Sequence, residues 1–174
     1  MAKSNMGAVA DSLALLMIRV PLGAIFIAHG SQKLLGAFGG QGLTATFRIF
    51  EEKLGIPPIF TLLAIIAEFG GGVGVLCGFL TRLSGFGIAS TMAVAMYKVH
   101  WANGFFLNGP RGNGIEYNLA LLGMALALVF AGGGAWSVDR YLFKRYLFAL
   151  DFIVVPSGSN ECRIGRDDWA WPQT

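Results

Sequence analysis

Glu68 lies inside the apolar run 59–80, and no other residue constrains the chain as much. The run is long enough to cross a bilayer, which takes about 20 mainly apolar residues. A carboxylate at that depth costs on the order of several kcal/mol unless a partner or a proton neutralises it. Three further apolar runs occupy 12–28, 83–99 and 115–136. They fill most of a 174-residue chain that is 55 % apolar and 13 % charged. This composition excludes an ordinary soluble domain. The expected fold is all-α: a four-transmembrane-helix bundle over residues 1–136, followed by an amphipathic C-terminal extension over 137–174.

The amino terminus has the outline of a signal peptide, with Lys3 ahead of an apolar stretch. Arg19 and Pro21 interrupt that stretch, so it reads as a retained first helix. A net charge of +3 with no basic, aromatic-interleaved patch excludes nucleic acid as a partner. Cys77 and Cys162 are far apart, and Cys77 reads as a small packing residue within a span. There is no CxxC, no HExxH and no GxGxxG in a strand-to-helix setting, so no metal site is expected.

Threading the four helices up and down puts both termini on one face. That face carries Lys3, Arg82, Arg140, Lys144 and Arg145, and the opposite face carries Lys33, Arg48, Lys53, Lys98 and Arg111. The asymmetry is small, and the termini are placed in the cytoplasm. The opposite face also collects His29, His100, Glu116 and the glycine- and asparagine-rich loops 36–42 and 103–114. Such loops can fold over a bundle mouth.

Counting along the helices gives depth. Arg19 is ten residues before His29, or about 15 Å. Glu68 is eleven residues after Pro57. Both therefore fall near mid-membrane, and an Arg19–Glu68 ion pair is expected, either as a lock between helices or in a proton-linked role. Small residues recur every fourth position at Gly70, Gly74 and Gly78, at Gly85, Ala89 and Ala93, and at Gly123, Ala127 and Ala131. These stripes predict close helix packing. They would turn Arg19, His100 and Glu116 towards a shared interior pocket.

After Trp136 the chain changes character. Ser137 is placed to cap a new helix, and 141–155 mixes aromatic and aliphatic residues with Lys144, Arg145 and Asp151. This reads as an interfacial helix or partner-contacting arm, followed by a polar tail containing Trp169 and Trp171.

An ordered set of motifs then suggests a family. It begins with Arg19-Val20-Pro21-Leu22-Gly23 and His29-Gly30-Ser31-Gln32-Lys33, then Gly36-Ala37-Phe38-Gly39-Gly40 and Leu54-Gly55-Ile56-Pro57-Pro58. Glu68-Phe69-Gly70-Gly71-Gly72, Gly78-Phe79-Leu80-Thr81-Arg82, His100 with Asn103-Gly104-Phe105-Phe106, Gly114-Ile115-Glu116-Tyr117 and Ser137-Val138-Asp139 complete it. The chain resembles the DoxX/DoxD-like integral membrane proteins. The resemblance implies a multi-pass protein of the bacterial inner (cytoplasmic) membrane, tied to respiratory or sulfur redox chemistry. The extension after Tyr141 departs from the usual short form and favours membership of a larger complex.

The reading that follows is a membrane subunit of a quinone-linked oxidoreductase. Candidate proton-handling (catalytic) residues are His100, Glu116 and Glu68; candidate quinone-binding residues are His29, Lys33, Arg19 and Asn103. Its partners would be the lipid bilayer, quinone, and other subunits held by the C-terminal arm. The alternative is a non-catalytic accessory subunit of a larger membrane complex. Two histidines at one end of different helices also leave room for axial haem ligation. Buried charge leaves room for transport, although no inverted repeat is visible.

Overall fold

The computed structural model describes residues 2–142, and those residues are helical with no strand. Five α-helices follow one another: α1 (Ala2–Leu35), α2 (Gly42–Leu54), α3 (Pro58–Cys77), α4 (Thr81–Ala95) and α5 (Glu116–Ala131). A π turn, Met96–His100, and a 3-10 turn, Trp101–Asn103, continue α4 without a break. Val9–Leu35 and Pro58–Cys77 are long and apolar enough to cross a bilayer, and α5 is apolar but shorter. The expected extension beyond 142 and Cys162 lie outside the described residues. Helical residues do begin at Val138, and the Arg140 N–H donates to Ser137 Oγ at 3.3 Å, so Ser137 caps that start.

α3 is the central helix, packed against both α1 and α4, and α4 packs against α5. The α1–α3 contact is backbone on backbone. A Cβ placed on Gly30 would lie 2.6 Å from the Phe69 backbone, and one on Gly72 would lie 2.8 Å from the Ile27 nitrogen. Only glycine permits that approach, which gains dispersion contacts where the hydrophobic effect between helices is weak. The pairs Gly23–Leu76 and Gly30–Phe69 make α1 and α3 antiparallel. The core draws Leu22 and Phe26, Val75, Ile88 and Met92, and Leu121 and Leu128 from all four long helices.

The small-residue stripes need correction. On α3, Gly71, Gly72 and Gly74 are buried while Gly70 is exposed. On α4, Ala93 is exposed and the inward face runs through Gly85, Ile88, Ala89 and Met92. On α5, a Cβ at Gly123 would meet nothing within 4 Å, and the inward face is Asn118, Leu121, Ala125 and Leu128. The reason is geometric. Steps of four drift about 40° each on a 3.6-residue helix, so a straight face alternates threes and fours.

α2 is not among the four expected helices. It is a 13-residue amphipathic helix closed by Gly55 in the left-handed conformation at φ 61. Arg48, Glu51, Glu52 and Lys53 are exposed, and Thr46 is buried. At 13 residues it reaches about 20 Å, too short to span.

Candidate functional site

Two polar clusters sit on α3, one at its carboxy end and one at its middle. At its carboxy end, Arg19 is 2 % exposed and donates only to backbone carbonyls. Nε donates to Val75 O at 2.8 Å and Nη2 to Leu76 O at 2.9 Å. Nη1 donates to Gly133 O and Trp136 O, both at 2.8 Å. Val75 and Leu76 are in the last turn of α3, where carbonyls lack helical partners. Arg19 therefore closes the end of α3 and ties the 132–137 turn to it. Beside it, Asp139 accepts from the Leu80 N–H at 2.6 Å and the Thr81 N–H at 2.8 Å, capping α4, and its own N–H donates to Gly78 O at 2.8 Å.

The expected Arg19–Glu68 pair is thus absent. α1 runs on to Leu35, and close glycine contacts, not counted depth, set its register against α3. With Gly30 facing Phe69 and Gly23 facing Leu76, Arg19 meets the carboxy end of α3 and Glu68 meets the end of α1.

Glu68 is paired instead with Lys33. Glu68 is 3 % exposed and Lys33 is half-buried, so the pair lies at the bundle's edge with its carboxylate turned inside. No sequence motif announced this partner, although Lys33 was among the candidate binding residues. Continuing the α1 helix without a stop, since nothing before Gly36 breaks it, would have found it.

The pair lies on the wall of a groove of about 1470 Å³. His29, Lys33, Glu68, Lys98, His100 and Asn118 line it. The two histidines therefore share one cavity, as the threading placed them at one end. A smaller cavity of about 330 Å³ abuts it, lined by His29, Gln32, Lys33, Gln41, Thr46 and Phe50. His29, Lys33 and Phe50 belong to both.

The π turn brings His100 into the groove, and π turns recur where a helix serves a site. His100 Nδ1 lies 2.8 Å from Asn113 O, and a carbonyl partner requires Nδ1 to carry the proton. Asn103 Nδ2 donates to the same carbonyl at 3.0 Å, and Glu116 accepts the Leu107 N–H at 2.7 Å. Asn103 and Glu116 fold the 104–115 loop over the mouth; they do not line the groove. Cys77, expected as a packing residue, is exposed on the groove side. Among the described residues no cluster of three or more His, Cys, Asp or Glu could hold a metal ion.

Sequence reasoning passed over Asn118. It is 6 % exposed in the first turn of α5, lines the groove, and has no hydrogen-bond partner among the described residues. An amide in a run of leucines was the available signal.

A helical bundle with two helices long and apolar enough to cross a bilayer fits an integral membrane protein. The DoxX family model matches residues 14–101, and the chain belongs to that family. It is 32 % identical over 136 residues to the inner membrane protein YqjF of Escherichia coli (strain K12), covering 78 % of this chain and 97 % of YqjF. It is 30 % identical over 129 residues to the Bacillus subtilis (strain 168) protein named "Putative oxidoreductase CatD", covering 74 % of this chain and 87 % of CatD. A third relative, the E. coli inner membrane protein YphA, is 29 % identical over 133 residues, covering 75 % of this chain and 91 % of YphA. No solved structure matches the chain.

Proposed function

We propose that the chain is a four-span subunit of a quinone-linked oxidoreductase in the bacterial inner membrane, with cytoplasmic termini. α1, α3, the continuous helix from Thr81 to Asn103, and α5 are the spans. α2 lies along the surface at the mouth, its charged face towards water.

The observation that carries this reading is the Lys33–Glu68 pair on the wall of a mostly apolar groove. A bound quinone ring accepts two electrons, from a redox subunit of the complex, and two protons. The residues here suit the proton half. Lys33 joins the groove to the smaller polar cavity beside Gln32 and Gln41, and Glu68 is a carboxylate held out of water. Buried acid–base pairs next to a cavity are suited to proton relay. His100, with Nδ1 already donating, keeps Nε2 as an acceptor. The oxidoreductase name carried by CatD supports the same class of chemistry.

The test is to purify the chain with its membrane partners and measure quinone reduction. Glu68→Gln and Lys33→Met should each lower turnover about a hundredfold or more, with partners still co-purifying. Unchanged turnover in both would leave a non-catalytic accessory subunit as the better description.

A further inference from the structure

We propose that the smaller cavity, between α1, the 36–42 loop and α2, is a water-filled entry that brings protons to the Lys33–Glu68 pair from the membrane face on which α2 lies. This rests on the quinone reading and adds the route, its sidedness and the residues that line it.

Helix register opens a gap at this place. The close contacts Gly23–Leu76, Gly72–Ile27 and Gly30–Phe69 hold α1 and α3 in one antiparallel register. In that register Leu35, where α1 stops, is level with Ala64. From Ala64 α3 runs on to Pro58, about 9 Å further. The 36–42 loop and the inner side of α2 fill that interval. Gly36 turns the chain at φ 71, and a Cβ on Gly40 would lie 2.4 Å from the Gln32 Cα, so the loop doubles back along α1. Thr46 Oγ1 donates to Gly42 O at 2.7 Å and lies 3.3 Å from Lys33 O, which seats α2 on the same turn of α1. Non-helical backbone at membrane depth is tolerated only inside protein or beside water. Gly39, Gly40 and Gln41 are on the cavity wall, where water can complete their backbone groups.

The lining favours water over lipid. Gln32 makes one long bond, 3.4 Å to Phe38 O, and Gln41 makes no side-chain cap bond to α2. Both amides keep capacity for water, which takes about two to four polar partners. A volume of about 330 Å³ holds on the order of ten molecules. Lys33 is the link: it lines both cavities and bonds Glu68, which lines only the groove.

Proton movement balances in three steps. The Lys33 ammonium gives a proton to the Glu68 carboxylate, leaving an amine and a carboxylic acid. Glu68 gives that proton to the quinone in the groove, whose electrons come from the redox subunit. The amine then takes a proton from a hydronium in the small cavity, and the ion pair is restored. The neutral intermediate suits a dry site, because desolvation penalises the charged forms.

The experiment labels single cysteines in the full-length chain, with Cys77 and Cys162 replaced by serine, in sealed membrane vesicles. The reagent is a membrane-impermeant cationic methanethiosulfonate, which reacts with thiolate in water. Gln32→Cys should react within about tenfold of the exposed Gln41→Cys, and from the same side of the membrane. Ser90→Cys lies at the depth of Glu68 on the groove wall and should react at least about a hundredfold more slowly. Gln32→Cys as slow as Ser90→Cys would make the cavity dry. Equally fast rates would make the groove the wet path. Either result overturns the proposal, as does labelling of Gln32→Cys from the other side. Turnover is the second readout. Blocking Gln32→Cys should lower kcat for quinone reduction about tenfold with KM unchanged, raise the solvent deuterium isotope effect, and be reversed by dithiothreitol. An unchanged kcat would send protons by another route and sink the entry while the quinone reading stands. No turnover in the unblocked protein with its partners would end the quinone reading, and the labelling rates would still decide whether water reaches the pair.

Discussion

The carboxy end and the middle of α3 handle buried charge in opposite ways. At the carboxy end, Arg19 has no carboxylate bonded to it and four carbonyls around it. At the middle, Glu68 has a lysine and a cavity. The first arrangement uses an ion as a multidentate donor to the backbone; its hydrogen-bonding capacity is largely taken up and it borders no groove. The second leaves a carboxylate beside space that a ligand could fill. A charged residue in an apolar run is therefore not by itself a functional residue. What separates the cases is whether its partners are backbone or cavity.

The largest effect should come from Arg19. Arg19→Ala removes four hydrogen bonds: Val75 O keeps the Gly78 N–H, while Leu76, Gly133 and Trp136 lose the guanidinium donor that ties α3 to the 132–137 turn. The expected loss is roughly 3–5 kcal/mol, read as a fall in the melting temperature of detergent-solubilised protein. Arg19→Lys should recover less than half, because an ammonium cannot reproduce the planar fork that reaches both elements. Full recovery by lysine would mean that charge, not geometry, holds this end.

The ion pair should behave asymmetrically, which sharpens the contrast. Lys33→Met strands a carboxylate that is nearly all inside, at a cost of roughly 2–4 kcal/mol. Glu68→Gln leaves Lys33 free to extend towards the surface and should cost roughly half as much. The double variant Lys33→Met with Glu68→Leu should return close to wild-type stability, since an apolar pair of similar volume removes both desolvation penalties. A double variant as unstable as the sum of the singles would make the pair a structural lock like Arg19.

Asp139 extends the comparison at the locked end. Its carboxylate accepts two backbone N–H groups at the start of α4. Asp139→Ala should cost about 1–2 kcal/mol, with quinone binding unchanged per folded molecule. An altered binding curve would join the two clusters functionally and break the distinction between them.

These contrasts also mark what the sequence could carry. Apolar runs long enough to span are a local property, and α1 and α3 follow them. The histidines reach one cavity because up-and-down threading fixes which helix ends meet. Arg19 was misassigned because backbone carbonyls leave no signature in sequence, whereas a carboxylate at similar counted depth does. α2 was overlooked because its apolar side is short and its charges resemble those of a loop. The repeat at Gly123 has the spacing of a packing stripe, but only the three-dimensional neighbours show that nothing lies opposite it. Lys33 and Glu68 were each visible; their pairing depended on a helix register that close glycine contacts set.

The smallest expected stability change carries the sharpest meaning. A buried polar group kept for folding is destabilising to remove, because its partner is orphaned. Asn118 has no partner among the described residues to orphan. Asn118→Leu should therefore shift ligand-free stability by no more than about 0.5 kcal/mol, as leucine replaces an amide that donates to no described residue. The same variant should forfeit the extra melting temperature that added menaquinone-4 gives the wild type, since a ligand stabilises only the state it binds. Binding would then change without stability at this position, whereas at Arg19 stability falls and binding per folded molecule does not. A loss of about 2 kcal/mol without ligand would place Asn118 among the folding residues and remove it from the groove's candidate binding residues.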